Sequence, residues 1–350
     1  MRKTKVNASV CLTVMIGAWT MCAPDELCGA VDLAGIVANV RANEQRYADI
    51  DVTVTDEYVD SQPVLSDGHF LPVTRYAVEI HYVRQTGMFH LSVQGSAQRK
   101  NAKQETETVA RDRMRLFDGT TSRALEGRNA NLVDGLTLDS YMISPHMLIL
   151  KPGGHPVPLS TYLGGDGPMR ACRGFKWEGR IHIQTEYQGD EVVEGHPCHR
   201  VRIMHVIQPS GVHHSSWVLW LATDRNLIPI RCDGYTYWAS KTTPVGRSVA
   251  RDLREIAPGV WFPFEVINTA YNIDTVHRHN RQEVGWQARY TVKSVSLEPR
   301  YPRSFFSDLK IPAGTYVYHI DANGKIVRSH VQGAPEGKAG DCSHPGKPEK

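Results

Sequence analysis

Tyr76, Val78, Ile80 and Tyr82 alternate with Ala77, Glu79 and His81. That two-residue period constrains the chain more than any other feature. It places the apolar side chains on one face of a strand and the polar ones on the other. After a turn at Gln85-Thr86-Gly87, Phe89, Leu91 and Val93 take up the same period. Val201, Ile203, His205 and Ile207 alternate with Arg200, Arg202 and Met204, and Trp217 to Ala222 is continuously apolar. A turn at Asp224-Arg225-Asn226 leads into a further strand over 228–237. Segments 253–256 and 260–271 flank Pro258-Gly259 as a hairpin, and 315–320 and 325–330 flank Asn323-Gly324, a favoured hairpin turn. Shorter strands are expected at 51–55, 113–117, 121–125, 182–187 and 287–297, with Gln188-Gly189-Asp190 ending the fourth of these. About ten strands at short spacing, with no strand–helix–strand alternation, predict a curved, mostly antiparallel sheet and argue against a parallel one.

Two stretches break the pattern. Asp32 is a suitable N-cap for a helix over 32–48, where Leu33, Ile36, Val37, Val40 and Tyr47 make a one-sided apolar stripe. Residues 127–170 are dense in Gly, Pro and Asn, with short apolar pieces such as Met147-Leu148-Ile149-Leu150. They read as an insert of short helices and loops rather than as sheet. Inserts of that length are often functional, for example as lids.

The first 30 residues read as a secretory signal. Arg2, Lys3 and Lys5 precede an apolar run from Ala8 to Ala23, and small residues follow at Cys28, Gly29 and Ala30. The run is shorter than the ~20 residues of a membrane span. Cleavage is expected after Ala23 or Ala30. Neither Cys22 nor Cys28 is preceded by the small residues of a lipid-attachment site. Removing 1–30 takes away three basic and two acidic residues, so the formal charge of +3 falls to +2. That balance, with no basic run carrying interleaved aromatics, gives no footing to nucleic-acid binding. The tail at 333–350 is rich in Gly, Pro and Lys and reads as disordered. The domain itself is expected over 31–332. It keeps Cys172, Cys198, Cys232 and Cys342. In an oxidising compartment at least one disulfide is expected among the first three, with Cys342 spare.

There is no Gly-x-Ser-x-Gly and no Gly-x-x-x-x-Gly-Lys-Ser/Thr. Gly164-Gly165-Asp166-Gly167 lacks the following Lys-Ser/Thr and reads as a turn. Among 16 histidines, His277 and His279 would share a face if they lay on a strand. His213 and His214 are adjacent, and His196 and His199 flank Cys198. A metal needs three or four converging ligands. These pairs read as surface or turn residues, and no metal or cofactor is expected.

The phrases RLFDGTTSRAL (115–125), VVEGHPCHRVRI (192–203), WVLWLATDRNLIPIR (217–231), REIAPGVWFPFEV (254–266) and LKIPAGTYV (309–317), in that order after the 32–48 helix, carry a resemblance. They resemble the outer-membrane lipoprotein-sorting, LolA/LolB-like, family over roughly 32–318. The resemblance implies an incomplete, unclosed antiparallel β-barrel with helices over its open side. It also implies an apolar cavity for the acyl chains of a lipid or lipoprotein, and a carrier or sensor role in the periplasm or cell envelope. The chain departs from the carriers in its length, its insert and its tail, and the carriers' cavity arginine has no clear counterpart. The partner implied is a lipid or an acylated lipoprotein, with an envelope protein as a further candidate, and the chain is expected to be a monomer. Residues expected to line the cavity are Val40, Tyr76, Val78, Ile80, Tyr82, Phe89, Leu91, Val201, Ile203, Leu219, Phe262 and Phe264. These faces either fill a core or line a cavity, and the sequence leaves both open. The competing readings are a secreted hydrolase with an unread site and a non-catalytic envelope interaction domain with a filled core.

Overall fold

The alternating segments pair into one sheet. The computed structural model describes residues 32–60, 73–100, 105–136, 143–150, 158–165, 181–208, 210–322 and 324–333. The segment read as a signal, the tail beyond Gly333, Cys172 and Cys342 lie outside these. Seven strands precede the helical insert: β1 (Ile50–Asp60), β2 (Val73–Gln85), β3 (Met88–Lys100), β4 (Thr106–Ala110), β5 (Arg113–Phe117), β6 (Thr121–Glu126) and β7 (Asn129–Asp134). Seven follow it: β8 (Ile181–Val193), β9 (His196–Ile207), β10 (Val212–Ala222), β11 (Ile228–Thr236), β12 (Gly246–Ala257), β13 (Val260–Tyr271) and β14 (Val284–Ser296). A last hairpin is β15 (Tyr316–Ile320) and β16 (Ile326–Val331).

The strand order is β16-β15-β7-β6-β5-β3-β2-β1-β14-β13-β12-β11-β10-β9-β8, with β4 paired to β3 beside this path. Two antiparallel meanders therefore meet where β1 pairs with β14. The ends of the order, β16 and β8, do not pair with each other, so the curved sheet is mainly β and unclosed. β3 changes partner from β5 to β4 around Gly95. A Cβ there would come within 2.3 Å of the Ala77 carbonyl oxygen. Only glycine allows so close an approach.

Several sequence expectations need correction. The stretch from 127 was read as helix and loop, yet Asn129–Asp134 is a strand, reached by a tight turn at Gly127-Arg128. β15 pairs with it in parallel, one parallel pair in a sheet otherwise antiparallel. The short, Asn-rich strand had too little alternation to be seen. Gln188-Gly189-Asp190 is not a turn. β8 runs through it with a bulge between Tyr187 and Gly189, and the turn comes at Glu194-Gly195. A glycine inside a strand pattern can mark a bulge instead of an end. His277 and His279 are on a helix, α4 (Ile273–His279), and not on a strand.

Among the described residues, three other helices lie on the concave face: α1 (Leu33–Gln45), α2 (Pro145–Leu148) and α3 (Leu159–Leu163). Asp32 caps α1 as its sequence suggested, accepting from Gly35 N at 2.6 Å. Ile36 and Val40 of its stripe are buried, with Leu159 and Leu163 of α3, in the same core as Val201, Ile203, Leu219 and Phe262. Full burial of each such side chain contributes about 1.5–3 kcal/mol. The helices are anchored by polar contacts as well. Tyr47 donates to the Trp261 carbonyl at 2.5 Å. Tyr162 pairs with His205 Nε2 at 2.6 Å. His146 Nε2 donates to the Asn226 carbonyl at 2.8 Å.

Asn226 ties one end of the sheet together. Its Oδ1 accepts from Trp261 N at 2.9 Å and its Nδ2 donates to the Gly259 carbonyl at 2.9 Å. Its φ of 55° is the left-handed conformation that Asn tolerates. The segment after β14 crosses the convex face, where Phe305 stacks on His90 at 4.1 Å and Tyr301 donates to Asp51 at 2.6 Å. Phe306 is fully buried there.

Candidate functional site

At the end of the sheet opposite Asn226 lies a cavity of about 900 Å3. The topology explains its place. In antiparallel pairing, the end of β1, the start of β2, the middle of β3, the start of β5 and the start of β14 come together. Tyr58, Tyr76, Gln94, Arg113 and Trp286 are drawn from those stretches, and all line the cavity. Deeper along the same strands its walls are apolar, with Val78, Ile80, Leu91, Val93, Ala288 and Tyr290. Ile143, just ahead of α2, closes one side. The volume falls in the ~300–1,000 Å3 range of small-molecule sites, and an apolar lining with a few placed polar groups is typical of them.

Those polar groups sit near the mouth. Asp56 is 3% exposed and faces inward between Val54 and Tyr58. The Tyr76 hydroxyl donates to its Oδ2 at 2.9 Å. Tyr58 stacks on Tyr76, with centroids 5.3 Å apart and planes 9° apart, and also meets Trp286 at 5.3 Å. Arg111, Arg113 and Arg128, with Asp112 and Glu126, border the opening. The cavity thus combines an apolar interior with a charged rim of both signs. Such a shape suits an elongated amphiphile whose polar end stays at the mouth.

The twelve residues expected from the sequence divide between two places. Tyr76, Val78, Ile80 and Leu91 line this cavity. Val40, Tyr82, Phe89, Val201, Ile203, Leu219, Phe262 and Phe264 belong to, or pack against, the same continuous core without lining the cavity. There Tyr82 is buried, which pushes its phenol up to about 12. Phe264 is only partly buried and carries the Arg254 guanidinium 4.2 Å above its ring. Asp56, Tyr58, Trp286 and Ala288 went unnoticed in the sequence.

No group of three His, Cys, Asp or Glu side chains among the described residues is placed to hold a metal. His277 Nδ1 lies 3.4 Å from the Ala239 carbonyl, and His196 and His199 meet Asp224 and Asp190. Cys198 and Cys232 are both free. A bond between them is excluded because they stand opposite Ala222 and Leu219, three residues apart on β10, and so point to opposite faces. Burial pushes the Cys198 thiol up to about 11 and that of Cys232 higher still. Neither is a poised nucleophile.

No family model matches the chain, and no curated protein matches it. Solved structures do. A DUF1329 family protein from Desulfovibrio piger aligns at 10% identity and a TM-score of 0.40, over 78% of this chain and 96% of its own. A putative outer membrane lipoprotein-sorting protein domain from Vibrio parahaemolyticus aligns at 7% identity and a TM-score of 0.39, over 79% and 98%. A LolA superfamily protein from Nitrosomonas europaea aligns at 12% identity and a TM-score of 0.36, over 80% and 99%. The family that the sequence phrases resemble is thus present among the structural neighbours. Likenesses this distant carry no weight on function, which has to stand on the cavity.

Proposed function

We propose that the chain binds the acyl portion of a lipid or acylated lipoprotein in this cavity, outside the cytoplasmic membrane, as a carrier or sensor and not as an enzyme. The observation that supports this is the cavity of about 900 Å3, walled by Val78, Ile80, Leu91 and Val93 and opening at a charged rim. Each buried methylene contributes about 0.8 kcal/mol, so a chain of a dozen carbons gains ~10 kcal/mol before the cost of immobilisation. An immobilisation cost of about 4 kcal/mol leaves ~6 kcal/mol, which corresponds to affinities of tens of micromolar. No catalysis is needed for such a role, since binding and release are the work.

Titration of the chain lacking residues 1–30 with a fluorescent fatty acid tests the proposal. We expect saturable binding of one probe per chain, reversed by unlabelled fatty acid. Absence of saturable binding up to a hundred micromolar or so, about 5–6 kcal/mol, would favour a filled-core interaction domain instead.

A further inference from the structure

Beside the main cavity is a second chamber of about 210 Å3, and Trp286 lines both. Its walls are apolar where the insert meets the sheet, at Ile149, Leu150 and Trp217. Its floor is polar. Cys232, Ser248 and Asn268 stand directly opposite one another on β11, β12 and β13. They interrupt a concave row that begins at Leu219 on β10 and ends at Ala288 on β14. Ser248 is 5% exposed and Asn268 2% exposed. The Asn268 Oδ1 has no hydrogen-bond partner among the described residues.

A buried amide oxygen without a donor is costly, and an apolar side chain of similar shape would remove that cost. Asn268 is on the same concave face as Val266, which fills its place in the core without a polar group. The placement of a polar pair here therefore calls for a donor from beyond the described residues. Water in so small a chamber is one source, but Trp286 lines both the chamber and the cavity, so a ligand lying in the cavity comes up to the chamber's edge.

We infer that the chamber is a subsite for a hydrogen-bonding group carried on the apolar part of the ligand. Asn268 Oδ1 accepts from a hydroxyl or amide N–H of that group, and the Ser248 hydroxyl is its second partner. The ligand class is then an acyl amphiphile with a hydroxyl or amide along its chain, in contrast to a plain hydrocarbon chain. The inference rests on the reading of the main cavity as an acyl site.

The test is displacement of a fluorescent fatty acid by two matched pairs: myristate with 3-hydroxymyristate, and stearate with 12-hydroxystearate. At least one hydroxylated acid should bind roughly fivefold or more tightly than its parent, the scale of one neutral hydrogen bond. Asn268→Leu should erase that preference, read as the ratio within a pair, and Ser248→Ala should reduce it. The ratio is read only on variants whose melting curve and circular dichroism match the parent protein, and Ser248→Ala, a smaller change, serves if Asn268→Leu does not fold. Equal binding within both pairs by the unaltered protein would overturn the subsite and leave the acyl reading standing. So would a preference that persists in the folded variants. If none of the four acids displaces the probe and the probe itself does not bind, both readings fall.

Discussion

Replacing Ala288 by Trp should abolish most acyl binding while leaving the fold in place. Ala288 is on β14, facing inward between Tyr58 of β1 and Asn268 of β13. It is 3% exposed and lines the cavity. In a close-packed core an added indole would force its neighbours apart. Here the indole has an existing space to enter. It would occupy volume that the ligand otherwise fills. Excluding three methylenes at about 0.8 kcal/mol each lowers affinity about 50-fold. Binding of the fluorescent acyl probe should fall by that order, with a melting temperature within a few degrees of the parent. Unchanged binding would move the ligand out of this cavity. Leu91→Asp is a less discriminating change. Leu91 is 1% exposed, so an unpaired carboxylate there threatens the fold together with the site.

The second large effect is on stability in acid. His146 of α2 is fully buried, with its ring 5.7 Å from that of Tyr47. Burial pushes its imidazole down to about 4, against the opposing pull of its hydrogen bond to the Asn226 carbonyl. An unfolded histidine titrates near ~6.5. Between those two values the unfolded chain takes up a proton that the folded chain refuses. Stability from this group is therefore complete above about pH 6.5 and is lost as the pH falls towards 4. The loss amounts to roughly 3 kcal/mol across the window. Urea unfolding at pH 7.5, 6.0 and 4.5 measures it. His146→Gln, which keeps a donor for the Asn226 carbonyl and cannot titrate, should lack this part of the acid slope. Equal slopes for parent and variant would show that His146 is protonated without cost.

Much of the sheet was legible because a half-buried strand writes its two faces into the sequence. The hairpin of β12 and β13 was read with its Pro258-Gly259 turn and with β13 at its observed ends, 260–271. The helix capped by Asp32 was equally plain. What failed was local. α4 is capped by Asn272, whose side chain accepts from Asp274 N and Thr275 N, and it ends in a left-handed Asn280. Its seven residues are too few for a helical period to emerge.

The candidate site was less legible, for a physical reason. Alternation says which face a residue takes but not what lies opposite that face. Val201, Ile203, Leu219 and Phe262 face inward as expected, yet α1 and α3 fill the space above them. Val78, Ile80 and Leu91 face inward too, and the space above them is the cavity. Only the placement of α1 and α3 separates the two cases. Asp56 hid the site further. It breaks the apolar alternation of β1 after Thr55, so the strand seemed to end there, although Tyr58 continues its inner face. Its carboxylate is tolerated because the Tyr76 hydroxyl donates to it from the neighbouring strand, a pairing not visible in the sequence.

The central claim is that this protein carries an acyl group in the cavity beneath β1–β3 and β14. Mass spectrometry under native conditions, on protein purified from the cell envelope without detergent, tests it most directly. The account predicts a population heavier than the bare chain by one ligand. On denaturation that ligand should be released as an acyl-bearing lipid or lipopeptide, and the Ala288→Trp protein should be recovered without it. A parent protein that is uniformly bare, and stays bare after incubation with envelope lipid, would contradict the account.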